Sequence, residues 1–157
     1  MQAMQYYGRA IDLDPENVLA YNGMGMAYRA AGKAREAEQF LQRALSLDSK
    51  VIDTYNNLGI VYAESGRLEQ AGAVYRKALE IDPTSAVMRY NLGAFYAQIG
   101  SLTQAVEQYK SAVALSPDMY QAHNNLALAY IALGKPAEAV AAYELSIELN
   151  PRQSRAY

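Results

Sequence analysis

The sequence predicts an all-α solenoid built from antiparallel helix hairpins. Between Ile52 and Ser85, small apolar and aromatic residues recur three or four positions apart, which is the helical period rather than the strand period. Gly66 separates two such segments, and Pro83 ends the second one. A single hairpin cannot bury both faces of its helices in water, so this unit needs neighbours of the same kind.

The neighbours are present, because the same residue types return every 34 positions along the chain. Five registers follow this period: a small residue, a tyrosine and a glycine in the first helix and the turn after it, then an alanine and a proline in and after the second helix. Their members are Gly25, Gly59, Gly93 and Ala127; Tyr28, Tyr62, Tyr96 and Tyr130; Gly32, Gly66, Gly100 and Gly134; Ala3, Ala37, Ala71, Ala105 and Ala139; and Pro15, Ser49, Pro83, Pro117 and Pro151.

No linker interrupts the period, so we predict one solenoid domain spanning residues 1–157. Residues 1–17 match the second half of a repeat, and residues 154–157 match the start of a further repeat. Both ends therefore look like cuts through a longer array. The full repeats are predicted at 18–51, 52–85, 86–119 and 120–153.

The pattern resembles the tetratricopeptide repeat family. One repeat carries the family's residues as Leu58–Gly59, Tyr62, Ala71, Tyr75, Ala78 and Pro83. The resemblance covers essentially the whole chain and implies a right-handed superhelix of 34-residue hairpins whose first helices line a concave face. It is specific for the fold and says almost nothing about the partner.

Bulk composition excludes several classes of protein. The net charge is −2 and the pI is about 5.4, so the chain lacks the basic surface typical of nucleic-acid binding. It contains no cysteine, which excludes disulfides and thiolate chemistry. No apolar run approaches the roughly 20 residues that span a bilayer. The compartment stays open, with the cytoplasm slightly favoured.

The small and aromatic registers have structural interpretations. Glycine costs about 1 kcal/mol relative to alanine inside a helix, so the Gly59 register indicates close approach of two helices. Tyr75 and its counterparts are expected to fill the space between adjacent hairpins. His123, the single histidine, stands where earlier repeats carry tyrosine and is expected to be a packing residue rather than a ligand.

The resemblance places a binding surface on the first helices, at positions that share one helix face. We call these positions the stripe. In the four repeats the stripe reads Leu19, Asn22, Gly23 and Met26; Asp53, Asn56, Asn57 and Ile60; Val87, Tyr90, Asn91 and Ala94; and Gln121, Asn124, Asn125 and Leu128.

Asparagine recurs on this stripe in two columns, although it is a mediocre helix former. One interpretation is that its amides bind the backbone of an extended peptide, because each amide offers both donors and an acceptor. Similar asparagine ladders occur in O-linked N-acetylglucosamine transferases. The other interpretation is that the amides hydrogen-bond between neighbouring hairpins, and the two are compatible. The columns are Asn57, Asn91 and Asn125, and Asn22, Asn56 and Asn124.

Other chemistry has little support in the sequence. Co-chaperone relatives hold a terminal carboxylate with cations on this stripe, and here those cations are missing, so we do not expect binding of a chaperone C-terminus. One histidine without cysteine makes a structural zinc site improbable. A serine nucleophile lacks a histidine base in any recognisable motif. No catalytic residue, metal site or cofactor is expected.

The favoured function is a non-catalytic scaffold for protein–protein interaction, which binds an extended peptide or a partner helix in the concave groove. Met26, Ile60, Tyr90 and Leu128 would supply apolar contacts beside the asparagines and Gln121. Alternatives are the repeat arm of a larger enzyme, such as a glycosyltransferase, or of a secretion or assembly machine. End-to-end self-association through the terminal hairpins is a further possibility.

Overall fold

The computed structural model describes residues 2–150, which form helices joined by short turns, without a strand. The predicted all-α repeat solenoid is confirmed. Pro151 and the start of a further repeat at 154–157 lie outside the described residues. The helices are α1 (Gln2–Leu13), α2 (Val18–Ala30), α3 (Ala34–Leu47), α4 (Ile52–Glu64), α5 (Leu68–Ile81), α6 (Ala86–Gln98), α7 (Leu102–Leu115), α8 (Tyr120–Ala132) and α9 (Pro136–Leu149).

The chain divides into two compact units, unit 1 at 1–82 and unit 2 at 83–157. In unit 1, α2 pairs with α3 and α4 with α5, while α1 packs against α2. In unit 2, α6 pairs with α7 and α8 with α9. Within each unit the first helices of successive hairpins also approach each other, as α2 with α4 and α6 with α8. The single domain over 1–157 stays a prediction.

A repeated turn joins the two helices of each hairpin. Its glycine has a positive φ of 70–78°, a backbone conformation that other residues adopt only with strain. In the second hairpin the Gly66 N–H donates to the Ala63 carbonyl (3.0 Å), and the Arg67 N–H donates to the Tyr62 carbonyl (2.9 Å). This pair of bonds is the Schellman motif, which satisfies the carbonyls at a helix end. The glycine register therefore ends the first helices, as predicted.

The proline register ends the second helices. The residue before each proline leaves the helical conformation, as at Asp82 (φ −129°, ψ 93°) and Ser116 (φ −136°, ψ 86°). Proline forces this change because its ring clashes with a helical residue in front of it. Pro136 differs, since it occupies the first turn of α9, where its missing N–H is tolerated. The sequence predicted both positions.

In the first three hairpins a glycine of the first helix lies against a side chain of the second helix, whereas the fourth hairpin has Ala127 at this position. A Cβ added to Gly59 would run into the Tyr75 ring, and one added to Gly93 would lie 2.7 Å from Tyr109 Cδ1. Both rings are buried. Each ring covers the glycine of its own hairpin, a contact that the sequence did not predict. Tyr109 also packs in one cluster with Leu126 of the next hairpin, as expected for a residue between hairpins.

Fully buried alanines bring the second helices close to their neighbours. Ala37, Ala71 and Ala105 are each at most 1% exposed. A second alanine register lies two turns later and ends in Ser146, whose hydroxyl donates to the Tyr120 carbonyl (3.1 Å). The small size of these residues lets the helices pack closely, which fixes where the first helices present their side chains.

Candidate functional site

Four positions of the stripe carry large apolar side chains that are exposed to solvent. Met26 is 44% exposed and Leu128 is 51% exposed, and both occupy the same register. Leu19 and Val87, which share another register, are exposed as well. Exposed apolar groups that recur on one face of a repeat protein mark an interaction surface more often than isolated ones do.

In unit 1, an amide of the stripe joins two hairpins. Asn57 Nδ2 donates to Asn22 Oδ1 at 3.0 Å, and thereby connects α4 to α2. Asn57 is only 8% exposed, whereas Asn22 is half-buried. The contact agrees with the second interpretation of the asparagines, in which they hydrogen-bond between neighbouring hairpins. The Asn57 amide therefore takes part in the contact between the two hairpins of unit 1.

In unit 2, the same register makes the equivalent contact with a tyrosine. Asn125 Nδ2 donates to the Tyr90 hydroxyl at 3.1 Å, which connects α8 to α6. Burial raises the pKa of Tyr90, and the hydrogen bond with Asn125 opposes that shift. The Tyr90 ring lies 5.9 Å from the Tyr109 ring, and burial raises the pKa of Tyr109 to about 12. These phenols stay protonated at neutral pH and act as hydrogen-bonding groups.

The other predicted site residues lie on the first helices with differing exposure. Gln121 and Asp53 are exposed. Gly23 is buried under the Tyr7 ring, which a Cβ added at this position would overlap. Peptide contact by the whole set stays a prediction. The half-buried members are Asn56, Ile60, Asn91, Ala94 and Asn124.

The hydrogen bonds made by the register of His123 were not predicted, because its members differ in chemistry. Tyr55 Oη donates to the Ser49 carbonyl (3.0 Å), and one Arg89 guanidinium nitrogen donates to the Pro83 carbonyl (3.3 Å). His123 Nε2 lies 2.9 Å from the Pro117 carbonyl, a contact that needs the proton on Nε2. Each of these side chains contacts the backbone carbonyl of the residue six positions before it, in the turn that precedes its helix. The packing role predicted for His123 is confirmed.

Within residues 2–150, no helix is both long and apolar enough to cross a membrane. In the same part of the chain, no group of three or more histidine or acidic residues is arranged to hold a metal ion. In α9, Val140 and Ile147 are exposed. End-to-end self-association through such apolar ends stays a prediction.

Family models described as tetratricopeptide repeat match residues 18–84, 50–118 and 88–154. The chain belongs to the tetratricopeptide repeat family. Repeats of this family generally serve as protein-interaction modules and not as catalysts. No curated protein matches the sequence.

Solved structures of tetratricopeptide proteins share the fold. A structure of MamA superposes with a TM-score of 0.84 at 24% identity, covering 97% of this chain and 89% of MamA. YrrB, described as a tetratricopeptide protein with an unusual peptide-binding site, gives 0.77 at 23% identity over 98% of this chain and 79% of YrrB. A thermophilic tetratricopeptide protein of Thermus thermophilus gives 0.79 at 23% identity, covering 97% of this chain and 84% of that protein. At these identities the likeness concerns the fold alone.

Proposed function

We propose that this protein is a non-catalytic scaffold that binds an extended peptide along the stripe of its first helices. The observation that carries the proposal is the exposure of Met26 in unit 1 and of Val87 and Leu128 in unit 2, all on stripe positions. Their burial would supply most of the binding energy, at about 25 cal/mol per Å² of apolar surface.

The amides beside these apolar residues suit a peptide backbone. A primary amide has two N–H donors and an acceptor oxygen, and the contact of Asn125 with Tyr90 uses one of its N–H groups. Gln121 is exposed on the same helix. Asp53 is the single charged residue among the stripe positions, so binding depends little on salt. The description of YrrB as peptide-binding is in line with this proposal.

A peptide-display selection tests the proposal. The native chain is compared with Leu128→Ser, which removes an exposed apolar group from the stripe. The matched control is Leu145→Ser, which makes the same change on an exposed leucine of the second helix α9. Circular dichroism first checks that both variants keep their helix content.

We expect the native chain and Leu145→Ser to enrich the same peptides, and Leu128→Ser to bind them about tenfold more weakly. Equal binding by both variants would place the site away from the stripe of unit 2. A steep loss of affinity with added salt would also contradict the proposal, because it would mean that ion pairs carry the binding.

A further inference from the structure

A cavity of about 350 Å³ opens between α6, α7 and α8 in unit 2. Ala94 and Ala97 line it from α6, Tyr109 lines it from α7, and Leu128 and Ala129 line it from α8. The residues around it carry no charge. The volume lies near the lower end of the roughly 300–1,000 Å³ that is usual for pockets that bind small ligands.

A cavity in unit 1 that shares some of these registers is smaller and charged. A cavity of about 150 Å³ there is lined by Arg29 and Glu64, whose charged groups lie 3.8 Å apart. Arg29 stands in the register of Ala97, and Met26 stands in the register of Ala94. The short side chain of Ala97, where unit 1 has Arg29, therefore helps to leave the cavity of unit 2 uncharged.

The cavity opens onto the stripe. Ala94 and Leu128 belong to the apolar register of the stripe, and Asn125 belongs to its amide register. Leu128 is half exposed at the edge of the cavity. A peptide that follows the stripe in unit 2 would therefore pass over the opening.

We propose that this cavity takes one large apolar side chain of the bound peptide, such as leucine, methionine or phenylalanine. The inference rests on the proposed function and adds a selectivity to it. A charged side chain would lose its hydration in the cavity and find no opposite charge there, so acidic and basic residues are rejected at this peptide position. Besides the Tyr109 hydroxyl, the polar groups of the lining are the amides of Gln98 and Asn125, which suit the adjoining peptide bonds.

Ala94→Met tests the proposal because it fills the cavity. The fold accepts methionine in this register, since Met26 occupies it in unit 1. Ala141→Met is the matched control, which adds the same side chain at an exposed alanine of α9 outside the cavity. Circular dichroism and thermal unfolding establish that both variants fold.

The probe is a peptide enriched by the native chain, together with its variant in which the large apolar residue is changed to alanine. That change should weaken binding to the native chain and to Ala141→Met by about tenfold or more. It should leave binding to Ala94→Met nearly unchanged, because that variant has already lost the cavity.

Two other outcomes would contradict either the cavity proposal or peptide binding as a whole. If Ala94→Met binds the native set with unchanged affinity, the cavity proposal fails while peptide binding stands. If the native chain enriches no peptide, both fail. A titration with N-acetyl-leucinamide, followed by NMR, then shows whether the cavity binds a small apolar molecule instead of a peptide side chain.

Discussion

The hydroxyl of Thr54 is buried in unit 1 without a hydrogen-bond partner, and the residue is 0% exposed. The same register holds Ala20, Met88 and Ala122 in the other repeats, all apolar. Burying an unsatisfied hydroxyl costs about 1–3 kcal/mol. Thr54→Val keeps the branched shape and removes the hydroxyl, so we expect it to stabilise the protein by about 1 kcal/mol.

Chemical denaturation of Thr54→Val and Thr54→Ser checks this expectation. The serine variant keeps the hydroxyl and loses a methyl group, so it should be less stable than the native chain. A valine variant that is clearly destabilised would show that the Thr54 hydroxyl has a partner, such as an ordered water.

Two glycine registers constrain the chain for different reasons. Gly66 has a φ of 72°, and nothing lies within 4 Å of a Cβ added to it, so Gly66→Ala should cost about 1–2 kcal/mol through backbone strain alone. Gly66→Asn should cost less, because asparagine tolerates this conformation. At Gly59 the backbone is helical and suits alanine, but the methyl group added by Gly59→Ala would displace the buried Tyr75 ring.

Near-ultraviolet circular dichroism distinguishes the two effects. The chain has 14 tyrosines and no tryptophan, so this signal reports tyrosine packing. It should change in Gly59→Ala and stay native in Gly66→Ala at equal helix content. An unchanged tyrosine signal in Gly59→Ala would mean that the hairpin opens enough to accept the methyl group.

At the scale of elements, an ionic network joins α3 to the second hairpin of unit 1. Glu38 accepts two hydrogen bonds from the Arg67 guanidinium, at 2.7 and 2.9 Å, and one from the Tyr62 hydroxyl at 3.0 Å. The Arg67 guanidinium also lies over the Tyr62 ring, 4.3 Å from its centre. The bonds from Arg67 hold the pKa of Glu38 below its usual value of 4.5, while partial burial acts in the opposite direction.

The lowered pKa fixes how this network responds to acid. A carboxyl whose pKa is lower in the folded state stabilises the protein above its unfolded pKa, and this stabilisation is lost as the pH falls through the folded pKa. We therefore expect Glu38→Gln to be less stable than the native chain at pH 7, and the difference to shrink below about pH 4.

Urea denaturation at pH 7 and at pH 3 measures this difference. Glu69→Gln makes the same change on an exposed position of α5 and serves as the control. If Glu38→Gln lowers the free energy of unfolding equally at both pH values, the contribution of Glu38 comes from the shape of its side chain and not from its charge.

The ends of the helices could be predicted from the sequence. Helix ends follow from glycine and proline at fixed spacing, because these residues act on the backbone where they stand. The contact of Asn57 with Asn22 is one of two interpretations that the sequence leaves open, because helical periodicity does not tell whether a stripe residue faces solvent or the next helix. The cavity at Ala94 depends on small side chains from two helices that meet only after folding.

At the scale of the whole molecule, contacts stay local in sequence. Within each unit, packing joins consecutive helices or the first helices of successive hairpins. The stability of such a protein is approximately a sum over repeats and their nearest-neighbour interfaces, so parts of it can open separately. A destabilising change in one unit should therefore loosen that unit most.

Tyr109→Ala and Leu41→Ala test this locality, because Tyr109 packs on Gly93 in unit 2 and Leu41 packs on Gly25 in unit 1. Each truncation should cost about 3 kcal/mol or more. In hydrogen exchange followed by mass spectrometry, Tyr109→Ala should accelerate exchange mainly in α6, α7 and α8, and Leu41→Ala mainly in α2, α3 and α4. If both variants accelerate exchange equally along the chain, the protein opens as one cooperative unit, and the repeats gain their stability from a coupling that extends beyond neighbouring helices.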